Sequence, residues 1–99
     1  MKNIIAVFAA VFLLSITAKA QTLSGFVYDI NGTPLPSSTV IVDGSSGVFC
    51  DYNGHYAISA LSLGKHSIEF SFIGYLKKTF EIEITKGENN LNARLKEDA

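Results

Sequence analysis

The stretch at residues 65–84 reads KHSIEFSFIGYLKKTFEIEI and contains the clearest strand pattern of the chain. Apolar side chains alternate with polar ones in its first half, and the alternation returns over residues 80–84. Successive side chains of a β-strand point to opposite faces of the sheet, so period two predicts two strands with one buried face each. The even positions of the first strand are expected to share the buried face: His66, Ile68, Phe70 and Phe72. Glu69 is then expected on the exposed face.

The same pattern continues on both sides of this stretch. Further strands are predicted at residues 22–28, 39–43, 48–51, 55–60 and 91–96. Turn-forming residues separate them, because Gly, Asn, Asp and Pro favour the backbone angles of turns. No helical periodicity follows Gln21. Short strands at this spacing predict an all-β fold, a seven-stranded antiparallel β-sandwich.

Residues 1–20 have the three parts of a secretory signal peptide. Lys2 gives a positive start, residues 4–16 form an apolar run, and Ala18 and Ala20 place small residues before Gln21. The run is shorter than the roughly 20 apolar residues that span a bilayer, and no second run follows. We therefore expect export, cleavage after Ala20, one domain over residues 21–99 and no transmembrane span in the mature chain. The alternative, an uncleaved membrane anchor, fits these flanks less well.

Composition excludes some partners. Cleavage would leave six basic side chains against nine acidic ones, a net charge of −3. The basic residues are scattered, with Lys77 and Lys78 as the only adjacent pair, so nucleic acid is not an expected partner. Cys50 is the only cysteine, which rules out a disulfide within the chain.

Several spaced motifs resemble the carboxypeptidase regulatory-like domain. They are residues 24–29, 31–36, 39–42 and 72–75, together with Gly47, Asp51, Gly54 and Tyr56. The resemblance covers about residues 22–96, nearly the whole mature chain. One departure is Cys50, which stands where the family usually has Thr or Ser.

This resemblance implies a transthyretin-like sandwich without catalytic residues or cofactors. In one large group the domain is the periplasmic N-terminal extension of TonB-dependent outer-membrane receptors that import glycans and other nutrients. It therefore implies an accessory domain of the periplasm or outer membrane, with a receptor or another envelope protein as partner. A receptor would continue beyond Ala99, so the chain is expected to be either an N-terminal fragment of a receptor or a free-standing copy associated with one. The alternative is a free-standing secreted module that binds glycan or protein.

One candidate site in the sequence is a zinc site. His66 and Glu69 match the H-x-x-E pattern of carboxypeptidase zinc ligands. Along a strand, however, positions three apart point to opposite faces, and His55 is the only other histidine. Because catalytic zinc needs three converging protein ligands, no metal is predicted.

Other candidate groups are also expected to be structural. Residues 29–32 and 51–54 both read Asp-x-Asn-Gly, but an EF-hand loop would need Glu where Val40 and Ser62 stand. Their Asp side chains are expected to bond their own turns. Cys50 has only His55 as a nearby base and is expected to be a small buried residue. No serine has a nucleophile-elbow context, and residues 95–99 lack the Tyr-Arg-Gly-Ser ending of transthyretin-like hydrolases.

Four aromatic side chains form the candidate interaction surface: Phe49, Tyr52, Tyr56 and Tyr75. Aromatic residues at the end of a sandwich can stack on sugars or on a partner's side chains. The same residues could instead be core or cross-strand pairs, and that interpretation is favoured.

Overall fold

A computed structural model describes residues 21–99, which contain eight strands and no helix. The strands are β1 (Gln21–Asp29), β2 (Thr39–Val42), β3 (Ser46–Phe49), β4 (His55–Leu61), β5 (Gly64–Ser71), β6 (Lys78–Ile84), β7 (Glu88–Asn90) and β8 (Ala93–Leu95). The prediction of an all-β fold is confirmed. The signal peptide at residues 1–20 lies outside the described residues and stays a prediction.

Two sheets pack face to face as a sandwich. One has the order β4-β1-β7, with β8 also paired to β1, and the other has the order β3-β2-β5-β6. The predicted buried face of β5 is confirmed at Ile68 and Phe70, which are fully buried. Leu23 and Val27 of β1 are fully buried on the facing sheet.

The eighth strand arises because the last predicted strand is interrupted. Ser24 pairs with Asn90 and Val27 with Ala93, so β7 and β8 continue one register along the same edge of β1. At the interruption the Asn92 side chain accepts the hydrogen bond of the Phe26 N–H at 2.9 Å. A Cβ on Gly25 would collide with the Leu91 carbonyl, so the glycine provides the space for that peptide. The difference from seven strands is therefore one local break.

The pairing of this last edge is parallel, whereas the sequence predicted antiparallel strands throughout. β1 runs parallel to β7 and β8, and all other strand pairs are antiparallel within residues 21–99. After β6 the chain enters the opposite sheet instead of folding back beside β6. Alternation specifies which face a side chain occupies and carries no information about the direction of a neighbouring strand, so the sequence could not predict this pairing.

The core lies between the two sheets around an aromatic row. The rings of Tyr56 and Phe70 are 5.5 Å apart, and those of Phe70 and Phe80 are 5.8 Å apart, both edge to face. The aliphatic side chains that surround them in the core include Leu23, Val27, Val40, Ile68, Ile84 and Leu95. Because Phe70 lies at the middle of this row, it bridges β4 and β6 across the sandwich.

The connections gather at two ends of the sandwich. The loop end consists of residues 30–38, 50–54, 72–77 and 96–99. Its segments are joined by backbone hydrogen bonds, such as Leu76 N–H to Lys96 O at 2.8 Å and Ser37 N–H to Cys50 O at 3.2 Å. The turn end consists of residues 43–45, 62–63 and 85–87.

Candidate functional site

Exposed apolar side chains are concentrated at the loop end. Six large apolar residues are exposed among residues 21–99, and they are Ile30, Phe49, Tyr52, Leu63, Ile73 and Leu76. Five of these belong to the loop end or to its adjoining strand terminus, and only Leu63 belongs to the turn end. Phe49, the last residue of β3, lies at the loop end because its partner Thr39 also pairs with Ser71, where the 72–77 loop begins. Large exposed apolar surfaces commonly mark interaction sites, and these five side chains share one end of the sandwich.

Three of the four predicted aromatic residues belong to this surface. Phe49 and Tyr52 are 74% and 89% exposed. Tyr75 is half-buried, packs edge to face on Phe72 with ring centroids 5.5 Å apart, and donates its hydroxyl to Glu97 at 3.4 Å. The sequence missed Ile73, which is 95% exposed in the same loop and was expected only as part of a family motif.

Tyr56 does not belong to the candidate surface. Its side chain is 1% exposed and packs on Phe70 in the core. Its hydroxyl donates to the Leu91 carbonyl at 2.5 Å, the same carbonyl for which Gly25 provides space. Burial raises the pKa of Tyr56, so the hydroxyl stays protonated as this donor. The surface assignment of Tyr56 was therefore wrong, and the core interpretation weighed against it is confirmed.

Two shallow concavities adjoin the loop-end aromatics. One, of about 310 Å³, lies between the turn at Asp29 and the C-terminal segment, with Ile30, Tyr75 and Lys96 in its walls. The other, of about 260 Å³, lies on the outer side of β2 and β3, where Phe49 stands beside Gly47. Each could hold part of a ligand or one side chain of a partner.

The acidic groups of the Asp-x-Asn-Gly segments are engaged in their own turns, as predicted. Asp29 Oδ1 accepts the N–H groups of Asn31 and Thr33 at 2.8 and 2.9 Å. Asp51 Oδ1 does the same for Asn53 and His55, both at 2.9 Å. These bonds fix the loops of the loop end.

Cys50 is buried beside these loops, as predicted. Its side chain is 5% exposed, and burial, together with the charge of Asp51, raises the pKa of the thiol to about 11. The thiol is therefore protonated at neutral pH, and because the thiolate is the reactive form, it is a poor nucleophile.

At the turn end the structure brings together three residues that sequence analysis did not connect. His66 Nδ1 lies 2.7 Å from Asp43 Oδ2, and Nε2 lies 2.8 Å from the Ser62 carbonyl and 3.3 Å from Ser62 Oγ. Asp43 Oδ1 also accepts the Ser67 N–H at 2.9 Å. We call this group the histidine clamp, because it joins the β2–β3 turn to the β4–β5 turn.

The histidine clamp has the composition of a Ser-His-Asp triad but not its hydrogen bonding. The oxygen nearest to each ring nitrogen, from the Asp43 carboxylate and the Ser62 carbonyl, can only accept, which favours the doubly protonated ring. The bond to Asp43, followed by that to Ser62, raises the pKa of His66. A general base needs a free nitrogen lone pair directed at the hydroxyl, so this geometry suits a structural ion pair.

Metal-binding geometry is not present in the described part of the chain. Within residues 21–99 no three side chains of His, Cys, Asp or Glu lie close enough together to hold a metal ion. Glu69 lies on the outer face of β5 and His66 on the inner face, as their odd spacing predicted. No helix that could cross a membrane occurs among the described residues.

The family of the chain follows from a sequence comparison. The model of the CarboxypepD_reg-like domain matches residues 23–99, so the chain belongs to this family, whose members are generally non-catalytic β-sandwich domains. No curated protein matches the sequence.

Solved structures of other proteins share the fold. A type II cohesin–X-dockerin complex from Acetivibrio cellulolyticus matches at 18% identity and TM-score 0.61, over 74% of this chain and 52% of that chain. Catechol 1,2-dioxygenase from Acinetobacter sp. ADP1 matches at 13% identity and TM-score 0.68, over 84% of this chain and 54% of that chain. The Bacillus anthracis TIE protein matches at 21% identity and TM-score 0.58, over 80% of this chain and 17% of that chain. The chain spans about half the length of the first two, and at these identities the likeness shows the fold alone.

Proposed function

We propose that this chain is a non-catalytic interaction domain of the exported cell envelope. It acts at the periplasmic side of a TonB-dependent outer-membrane nutrient receptor, and its loop end is the docking surface. The family and the predicted signal peptide support this assignment. The observation that carries it is the placement, within residues 21–99, of five of the six exposed large apolar side chains at one end of the sandwich.

The loop end is suited to docking because its conformation does not depend on these exposed side chains. Backbone bonds and the Asp29 and Asp51 turns hold the loops. Tyr52 and Ile73 are almost fully solvated, so burying them under a partner would remove apolar area from water. Aromatic and large aliphatic anchors of this kind dominate the energetics of protein interfaces.

Site-specific photo-cross-linking in the native host tests this proposal. The photoreactive residue p-benzoylphenylalanine replaces Ile73 at the loop end in one variant and Leu63 at the turn end in the control. Both positions are exposed and apolar, so they differ mainly in their place in the fold. We expect a cross-link to an outer-membrane receptor from position 73 and none from position 63. Equal cross-linking from both, or recovery of the protein only in the culture medium, would contradict the proposal.

A free secreted glycan-binding module is the second candidate. It is favoured by the position of Phe49 beside the concavity over Gly47 and of Tyr75 in the wall of the other concavity. Sugar rings stack on such partly exposed aromatic faces. Titration with soluble oligosaccharides, followed by amide chemical shifts, distinguishes the candidates. Binding that is lost in Phe49→Ala, together with no receptor cross-link, would support this candidate.

A further inference from the structure

The four outer strand edges of the sandwich are not equally protected. β3 has only four residues, and β7 and β8 are broken at Leu91 and Asn92. β4 has one extra residue opposite Thr22, where Ala60 adopts φ 61°. Short, bulged or broken strands are poor templates for a further strand. Three of the four edges therefore resist strand addition.

β6 is different, because it is long, regular and paired on one side only. Its seven residues pair with β5 without a register shift, and no other described strand pairs with it. It contains no proline. Lys78, which could guard the edge, instead lies 5.4 Å from the Phe80 ring centroid and donates to the Arg94 carbonyl at 3.4 Å. The backbone of β6 is thus available to an added strand.

The side chains of β6 indicate what kind of strand would fit. Phe80 and Ile82 face the core but remain half-buried, so an added strand could cover them with apolar side chains. Glu81 and Glu83 lie on the outer face, opposite Ser67 and Lys65 of β5, and neither carboxylate is within ion-pair distance of a basic group in residues 21–99. A strand with Lys or Arg opposite these two positions and aliphatic residues between them would satisfy both faces.

A second copy of the chain is a poor occupant. Antiparallel pairing of two β6 strands would place Glu81 and Glu83 of one copy beside those of the other on the same face. Like charges opposite each other on neighbouring strands are destabilising. The charge pattern therefore selects a different chain with the opposite sign.

We propose that β6 is an acceptor edge for an extended partner segment that alternates basic and aliphatic residues, bound by strand addition. Affinity would come from main-chain hydrogen bonds, and selectivity from pairing with Glu81 and Glu83. This surface is separate from the loop end, so the inference goes beyond the proposed function and does not depend on it.

Synthetic peptides test the inference with the purified protein. The probe is acetyl-KVKVKVK-amide, and the controls are acetyl-EVEVEVE-amide and the basic peptide with N-methyl groups at alternate residues. We expect the basic peptide alone to bind, with amide shifts confined to β6 and its neighbour β5. Binding of the acidic or N-methylated peptide with equal affinity, shifts located elsewhere, or no binding at millimolar peptide would overturn the proposal.

Protein variants test the role of charge independently. The double variant Glu81→Gln, Glu83→Gln should bind the basic peptide about fivefold more weakly at low salt, because each cross-strand charge pair contributes roughly 0.2–1 kcal/mol. The control, Glu88→Gln with Asp98→Asn, changes the net charge equally but lies off β6 and should leave affinity within about twofold. An equal loss of affinity for the basic peptide in both variants would show that the charges of β6 do not select the partner. The N-methylated peptide still tests the backbone if the β6 variant is unstable.

Discussion

The two ends of the sandwich maintain their shape in different ways. At the turn end side chains do this work: His66 bonds Asp43 and Ser62, and Asn89 accepts from Thr85 and donates to the Thr22 carbonyl at 3.1 Å. At the loop end backbone bonds and two aspartate turns hold the segments, and large apolar side chains project into solvent. At the turn end polar side chains are thus hydrogen-bonded within the domain, whereas at the loop end large apolar side chains remain exposed after folding.

This difference separates residues needed for stability from residues available for recognition. A side chain that bonds its own chain cannot be replaced without loss of stability, whereas an almost fully solvated one contributes little to it. The same distinction explains the two tyrosines of the β3–β4 region. Tyr56 donates to a backbone carbonyl in the core, and Tyr52, four residues earlier, is 89% exposed.

The largest expected effect lies in the core that both ends share. Phe70→Ala should lower the free energy of unfolding by about 3–5 kcal/mol, because it removes a fully buried ring between Tyr56 and Phe80. Denaturant unfolding measures this loss, and hydrogen exchange should show it at both ends. Glu69→Ala, on the opposite face of β5, should change stability by less than about 0.5 kcal/mol. Equal losses in the two variants would show that the register or face assignment of β5 is wrong, and destabilisation of one end only would show that the ends do not share one core.

The next effect is a pH dependence that belongs to the turn end. The bond to Asp43 raises the pKa of His66 above its ordinary 6.5, so its stabilisation is complete below about that pH and is lost as the pH rises through the raised value. The Ser67 N–H, followed by His66, lowers the pKa of Asp43 below 3.8, so that contribution is lost only as the pH falls through the lowered value. Stability should therefore decline as the pH rises above about 6.5, as urea midpoints from about pH 5 to about pH 9 would show.

Two histidine variants identify the group responsible for this decline. His66→Gln should abolish this decline in stability with rising pH, because it removes the titrating ring of the histidine clamp. His55→Gln is the matched control, since the His55 side chain lies 4.0 Å from Asp51, is 40% exposed and stands at the start of β4, next to the loop end. A decline that persists in His66→Gln, or one that disappears in His55→Gln, would show that the histidine clamp is not its source.

A smaller effect is expected when the loop end is made polar. Ile73→Ser and Tyr52→Ser should each change the free energy of unfolding by less than about 0.5 kcal/mol, because both side chains are already solvated. Leu63→Ser is the control, because it makes the same kind of change at an exposed apolar residue of the turn end. In the host, only the loop-end variants should lose association with the envelope fraction. Strong destabilisation by either loop-end variant would mean that the apolar side chains support the fold.

The sequence was sufficient to predict the sheet faces because alternation depends only on neighbouring positions. Ile68 and Phe70 are buried as their spacing predicted. It was insufficient where contacts join distant segments. The histidine clamp joins residues 43, 62 and 66 across two turns, and the parallel pairing of β1 with β7 depends on where the chain crosses between sheets. Tyr56 was ambiguous for the same reason, since its acceptor, Leu91, lies 35 positions away.

The smallest expected effect is zero, and it concerns catalysis at the histidine clamp. While both ring nitrogens of His66 are protonated and donate to Asp43 and to the Ser62 carbonyl, the ring has no lone pair that could take a proton from Ser62 Oγ. The purified protein should therefore show no esterase or peptidase turnover, and any background rate should be unchanged in Ser62→Ala. Elemental analysis should find no stoichiometric zinc, because Glu69 faces away from His66 and three converging ligands are required. Turnover lost in both Ser62→Ala and His66→Gln, but retained in the exposed control Ser59→Ala, would instead identify the turn end as an active site.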